Sequence, residues 1–215
     1  MKNLLYKELK LTLHPTNLIF LALSAMLLIP SYPYYVTFFY TTLGIFFLCL
    51  NGRETRDIEY TLLLPVEKKD AVTARIVFCT LLEAAQLLLA IPFIVLHDAL
   101  NIGPNPVGMD ANIALIALAM LPYGAFNLVF FTHYYRAPEK VGSAFVWGSV
   151  VVFVLIAALE TLSHILPFLR DTLDTKDPAH LGEKLAALAV CAALFASMTG
   201  LAHRNAVRSF EKLDF

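Results

Sequence analysis

Apolar positions along this chain come in long blocks and do not alternate with polar ones. Short breaks of charge, Gly or Pro divide the blocks into six candidate spans: Thr16 to Ile29, Tyr34 to Leu50, Val72 to Leu96, Ala111 to Thr132, Gly142 to Leu166 and Leu185 to Ala202. Most of them approach or exceed the ~20 residues of one bilayer crossing. Lipid offers no partner to open backbone groups, and a membrane barrel needs the alternation that is missing here. All six are therefore predicted to be helices. Between Leu11 and Leu50 there is no charge apart from whatever His14 carries. That stretch is too long for one crossing and must fold back, with Pro30-Ser31-Tyr32-Pro33 as the turn. The first span is the weakest, because its clean core from Leu18 to Ile29 is short.

The lead before the first span has a different period. In KNLLYKELKLTL the leucines at 4, 5, 9 and 13 recur at near-helical spacing, while Lys2, Lys7, Glu8 and Lys10 fall mostly elsewhere. This predicts a surface helix over residues 1–15, bent into the bilayer at Pro15; a solvated tail is the plainer alternative. A cleavable signal peptide is not expected, since the first apolar run follows a charged lead and no small-residue cleavage site comes after it.

Composition and charge then fix class and orientation. Hydrophobic residues make up 59% of the chain, charged residues 15%, and the mean hydropathy is +0.69; soluble domains carry about 25% charge. The expected fold class is an all-α integral membrane protein, residues 1–215 forming one transmembrane domain. If both ends and the even connections lie in the cytoplasm, that side holds Lys2, Lys7, Lys10, Arg53, Arg56, Lys68, Lys69, Arg75, Arg136, Lys140, Arg204, Arg208 and Lys212. Only Arg170, Lys176 and Lys184 fall on the other side. By the positive-inside rule this predicts a multi-pass protein of the cell membrane with cytoplasmic termini.

Candidate chemistry is sparse. Cys49, Cys79 and Cys191 lie in or beside apolar spans without CxxC or Cys/His spacing and read as packing residues. The six histidines form no HExxH pair. There is no Walker-type GxxxxGK(S/T), no GxSxG and no basic-aromatic patch, so no catalytic residue, metal, cofactor or nucleic acid is expected on this chain. Energised work would need an engine on another chain.

The one dense internal run of charge is residues 51–71, beginning NGRETRDIEYTLLLPVEKKD. From Glu54 to Leu64 it suits a short amphipathic helix, with Ile58, Leu62 and Leu63 on one face and Arg53, Arg56, Asp57 and Glu59 on the other. Pro65 stops it, and a second helix starts at about Glu67 to Asp70 and runs through Arg75 into the third span. Such a helix can lodge in a cleft of a soluble partner and carry rigid-body motion into the spans, or it can simply sit in water. The connection from His133 to Gly142 adds Arg136, Glu139 and Lys140 on the same side, as contacts or as a plain turn.

The order of surface helix, two closely spaced spans and a loop of the form RDxEYTLLLPVxKKD resembles the permease subunits of type-2 ABC exporters. Within these it is most similar to the small six-span permeases of the phenol-soluble-modulin exporter and of bacteriocin or lantibiotic immunity transporters. Glu67 stands where many relatives carry Ser or Thr. The resemblance implies that Arg56, Asp57, Glu59, Tyr60, Thr61, Leu62, Leu63, Leu64 and Pro65 form a coupling helix docking on a separate ATPase subunit, which binds ATP and Mg. It further implies a dimer with a second copy or a paralogue, and export of an amphipathic peptide, toxin or similar hydrophobic cargo by alternating access.

Charge inside a span is costly, about 2.5–3.5 kcal/mol on insertion scales. Glu83 near the middle of the third span, and Glu160 one turn before His164 in the fifth, are thus candidates for a translocation path or its outer gate. Each can instead be satisfied structurally, by protonation, interhelical hydrogen bonds or reach to the interface. Pro92 and Pro122 free the carbonyls of Leu88 and Leu118 and permit kinks. Gly124, Asn127, Gly142 and Gly148 suit close helix approach. Tyr32, Tyr34, Tyr35, Phe38, Phe39 and Tyr40 read as an interfacial belt or as a contact surface for lipid-like cargo. Two other function classes stay open: an intramembrane enzyme built on Glu83, Glu160 and His164, and a membrane scaffold or sensor whose loop binds a partner that is not an ATPase.

Overall fold

The computed structural model describes residues 2–13 and 15–213, so His14 lies outside the described residues. The chain is helical throughout its ordered elements. Helix α1 (Lys2–Lys7) continues as a wider π coil over Glu8–Thr12. Helix α2 (Pro15–Ala22) tightens into a 3₁₀ coil over Leu23–Leu28. There follow α3 (Tyr35–Glu54), the short α4 (Asp57–Leu62), α5 (Lys68–Ala99), α6 (Ile113–Tyr134), α7 (Val141–Ile165) and α8 (Leu181–Phe210).

Five helices are long and apolar enough to cross a membrane, and the bent pair α1/α2 supplies the sixth candidate. The two arms of that pair meet at 87°. The 3₁₀ segment lengthens the second arm of this candidate. Eight α-helical and six 3₁₀ residues rise about 24 Å, some 3 Å more than an all-α segment would, against a hydrocarbon core of ~30 Å.

Helix α6 is the centre of the bundle: 72% of its apolar window is buried, against 11% for α8. It packs chiefly on α8 and α7. Gly124 lets α8 come close, since a Cβ there would lie 2.7 Å from Met198 and 3.2 Å from the Phe195 backbone, and Gly148 similarly abuts the Phe126 ring. Gly142, by contrast, has nothing within 4 Å. Both α5 and α6 run unbroken through Pro92 and Pro122.

The tyrosine-rich segment departs from the interfacial-belt expectation. Tyr34, Tyr35 and Phe38 are core residues. The Tyr34 hydroxyl meets His97 Nε2 at 3.3 Å, Tyr35 donates to Met109 Sδ at 3.2 Å, and Phe38 sits edge-on to Tyr123. Once α3 lies against α5 and α6, these rings face protein.

Candidate functional site

Short helix α4 and its supports form a concentrated assembly of buried charge. The chain leaves α3 through Thr55 and enters α4 at Arg56, whose φ of 52° places it in the left-handed region. This reversal ends α3 and rotates the next helix, so α4 begins at Asp57, not at the expected Glu54. It also changes the predicted face. Ile58 and Leu62 do pack against the core, but Asp57 is 8% exposed and Thr61 is buried with it. Leu63, assigned to the inner face, is 85% exposed. One turn apart, Asp57 and Thr61 point inward together, and Arg56, Glu59, Tyr60, Leu63, Leu64 and Pro65 are left outside.

Asp57 enters a largely buried cluster of four charges drawn from α1 and its π coil, α4 and α5. Arg75, on the first half of α5, donates from Nε to Glu8 Oε2 at 2.5 Å and from Nη2 to both Glu8 Oε1 (3.2 Å) and Asp57 Oδ2. Lys7 Nζ reaches Asp57 Oδ1 and Thr61 Oγ1, each at 2.8 Å, and lies 3.1 Å from Glu8. Thr12 donates to Glu8 Oε2 at 3.0 Å, and Thr61 donates back to the Asp57 carbonyl at 2.7 Å. Two cations face two carboxylates, so the cluster is neutral. Burial pushes the Asp57 carboxyl up, but Arg75 and Lys7 more than reverse this and hold it below the usual carboxylate range. Gly52 of α3 makes room: a Cβ there would stand 3.2 Å from Arg75 Nη1. The π coil of Glu8–Thr12 belongs to the same arrangement, since Glu8 and Thr12 are its buried residues.

Lys7 and Arg75, which the sequence places among the cations of the cytoplasmic side, are structural ones. The signal was present: a charge seven residues into an apolar helix is as expensive as Glu83 and calls equally for a partner. Around the cluster, Arg53 Nη1 donates to the Glu139 carbonyl at 3.3 Å and ties α3 to the α6–α7 connection, whose Arg136, Glu139 and Lys140 are exposed beside α4. Between α1 and the α4–α5 connection runs an open groove of about 670 Å³, bordered by Leu4, Lys7, Tyr60, Leu64, Val66 and Asp70.

The intramembrane candidates lie apart from this assembly and from one another. Glu83 is sealed between α5, α6 and α8, where its Oε2 accepts from Asn127 Nδ2 at 2.8 Å and Asn127 also contacts Thr199 Oγ1 at 3.2 Å. Glu160 accepts the Met109 N–H at 3.1 Å, and its carboxylate occupies the space a Cβ on Gly108 would take. His164, one turn on, is exposed, and among the described residues no hydrogen bond joins the two side chains. Glu160 pins the α5–α6 loop to α7.

No curated protein and no solved structure matches the chain. A family model described as "ABC-2 family transporter protein" matches residues 3–204, a stretch that contains the ionic cluster, α4 and nearly all of the long helices. The chain, a multi-pass helical membrane protein, belongs to the ABC-2 transporter family.

Proposed function

We propose that the chain is the membrane subunit of an ATP-driven exporter of amphipathic peptides, toxins or similar hydrophobic cargo, and that α4 is its coupling helix. The observation that carries this reading is the division of α4 into two faces. Its inner face is fastened through Asp57 and Thr61 to α1 and α5, while Arg56, Glu59, Tyr60, Leu63, Leu64 and Pro65 present a mixed apolar and charged tip outward. A partner that moves α4 moves Arg75, and with it α5, because four desolvated charges cannot separate cheaply. The α4 end is then the cytoplasmic end, as the distribution of Lys and Arg favours. The ATPase, with its ATP and magnesium, is a separate subunit, and a second copy or a paralogue of this chain completes the path. Among exporters of this kind, those of phenol-soluble modulins and the bacteriocin or lantibiotic immunity transporters are the models.

In this reading Glu83 meets cargo only when α5, α6 and α8 part. Glu160 and His164 belong to the far end, where Glu160 holds the α5–α6 loop. Glu83→Gln is expected to change transport or cargo-stimulated ATP hydrolysis; wild-type values would make Glu83 purely structural.

Co-purification tests the docking. A tagged chain is expected to bring down a nucleotide-binding subunit, and Tyr60→Ala with Leu63→Asp is expected to abolish this while insertion into the membrane continues. Unchanged recovery of the ATPase by the double variant would defeat the assignment.

A further inference from the structure

Helix α5 is tied to the α8 side at the α4 end and to the closely packed α6–α8 pair at mid-length, then diverges from that pair. Lys68 donates to the Leu213 carbonyl, Thr73 Oγ1 meets His203 Nε2 at 2.8 Å, and the Glu83–Asn127–Thr199 link closes the middle. Toward the opposite end a groove of about 370 Å³ opens between them, within the ~300–1,000 Å³ range of small-molecule sites. Its walls include Ile91, Ile94 and Val95 of α5, Ile116 of α6, and Leu185 and Leu188 of α8. Val95 is 63% exposed, so the groove is reached from the lipid side.

Two carboxylates line this groove, and only one is engaged. Asp177 accepts the Ile113 N–H at 3.0 Å and the fully buried Lys184 ammonium at 2.7 Å, so its charge is already met. Asp98, on the last turn of α5, has no hydrogen bond or ion pair to its side chain among the described residues. The lining therefore carries one uncompensated negative charge at the end of an apolar trough. From Ile91 to Asp98 the trough follows α5 for about 10 Å.

We propose that this groove binds a single-tailed amphiphile with a cationic head, its tail along Ile91, Val95, Ile116 and Leu188 and its ammonium against Asp98. An apolar tail alone gains little here, because lipid chains solvate the same walls equally well. Selection comes from the head. At a protein surface the attraction of a carboxylate for a cation is about fourfold stronger than in bulk water. The same charge repels the phosphate of ordinary phospholipids, which keeps the site from being filled by bulk lipid. The site is entered from the bilayer and does not depend on ATPase docking at α4.

The test uses the full chain in nanodiscs of zwitterionic lipid and three photoreactive probes sharing one diazirine-bearing dodecyl tail, with trimethylammonium, sulfate or hydroxyl heads. Labelled peptides are located by mass spectrometry. The ammonium probe is expected to label the far halves of α5 and α8 about two- to fivefold more than the sulfate probe, the size of effect one ion pair near a surface supports. Asp98→Asn should remove that preference, Asp98→Glu should keep it, and Val95→Trp should lower labelling by all three probes. Equal labelling by the three heads on the wild-type chain, or an ammonium preference unchanged in Asp98→Asn, would show only a lipid-filled seam and overturn the proposal.

Discussion

The two ends of α5 solve the same problem in opposite ways. Near its start, Arg75 is buried and every charge around it has a partner within the protein, so α1, α4 and α5 form one fastened unit. Near its finish, Asp98 stands without a side-chain partner among the described residues, beside a groove open to lipid. A single helix is thus rigidly coupled at one end and free to accommodate something at the other. Dry, matched charges transmit displacement because separating them is costly, whereas apolar walls facing lipid separate with little penalty since lipid replaces the lost contacts.

The comparison breaks most decisively at Arg75. Arg75→Met leaves Glu8 and Asp57 buried without their main counter-charge and is expected to cost about 3–5 kcal/mol, read as a lower unfolding temperature of the detergent-solubilised protein and as lost ATPase co-purification. Combining it with Glu8→Gln, which leaves Lys7 and Asp57 as a matched pair, should recover much of the stability but not the docking. A double variant as unstable as the single one would mean that packing, not charge matching, fastens α4. Halfway along α5, Asn127→Ala removes the donor to Glu83 and is expected to cost about 1–3 kcal/mol in the same unfolding measurement. An unchanged midpoint would show that Glu83 has no need of Asn127.

Acid sharpens the picture further. The folded Asp57 carboxyl titrates below its ordinary value of 3.8, so its contribution is fully present above that value and is lost as pH falls through the lower, folded one. Hydrogen exchange in α4 should therefore stay slow from neutral pH to about 4 and accelerate only below it, beyond the intrinsic pH dependence of exchange. Release of α4 well above that range would contradict the ionic fastening. The smallest expected effect on stability is at the tip: Leu63→Asp should change unfolding by no more than about 0.5 kcal/mol, because the side chain is solvent-facing, even as it weakens ATPase capture.

Much of the architecture is legible in the sequence because bilayer thickness leaves few choices. Each apolar block long enough to cross became a helix, and the breaks at Pro30–Pro33 and at Asn51–Glu67 fall where α2, α3, α4 and α5 are separated. Residue exposure at α4 was less legible. Amphipathic patterning placed Asp57 in water with Arg56 and Glu59, but patterning assumes that a charged side chain seeks solvent. Arg75 and Lys7 offered Asp57 a neutralising site, and that pairing joins positions 7, 8, 57 and 75, which no local periodicity connects.

Legible from the residues alone are the order of the apolar helices and the polar connector between α3 and α5. Hydrophobic length and the need to satisfy backbone groups in lipid act on each segment independently. Packing settles which charges are consumed inside the protein and which are left over. Arg75, Asp57 and Lys184 look like surface charges in sequence and are spent in folding, while Asp98 looks no different from them and is not. Charge compensation depends on what distant segments bring within a few ångströms, and that distance exists only once the helices have packed.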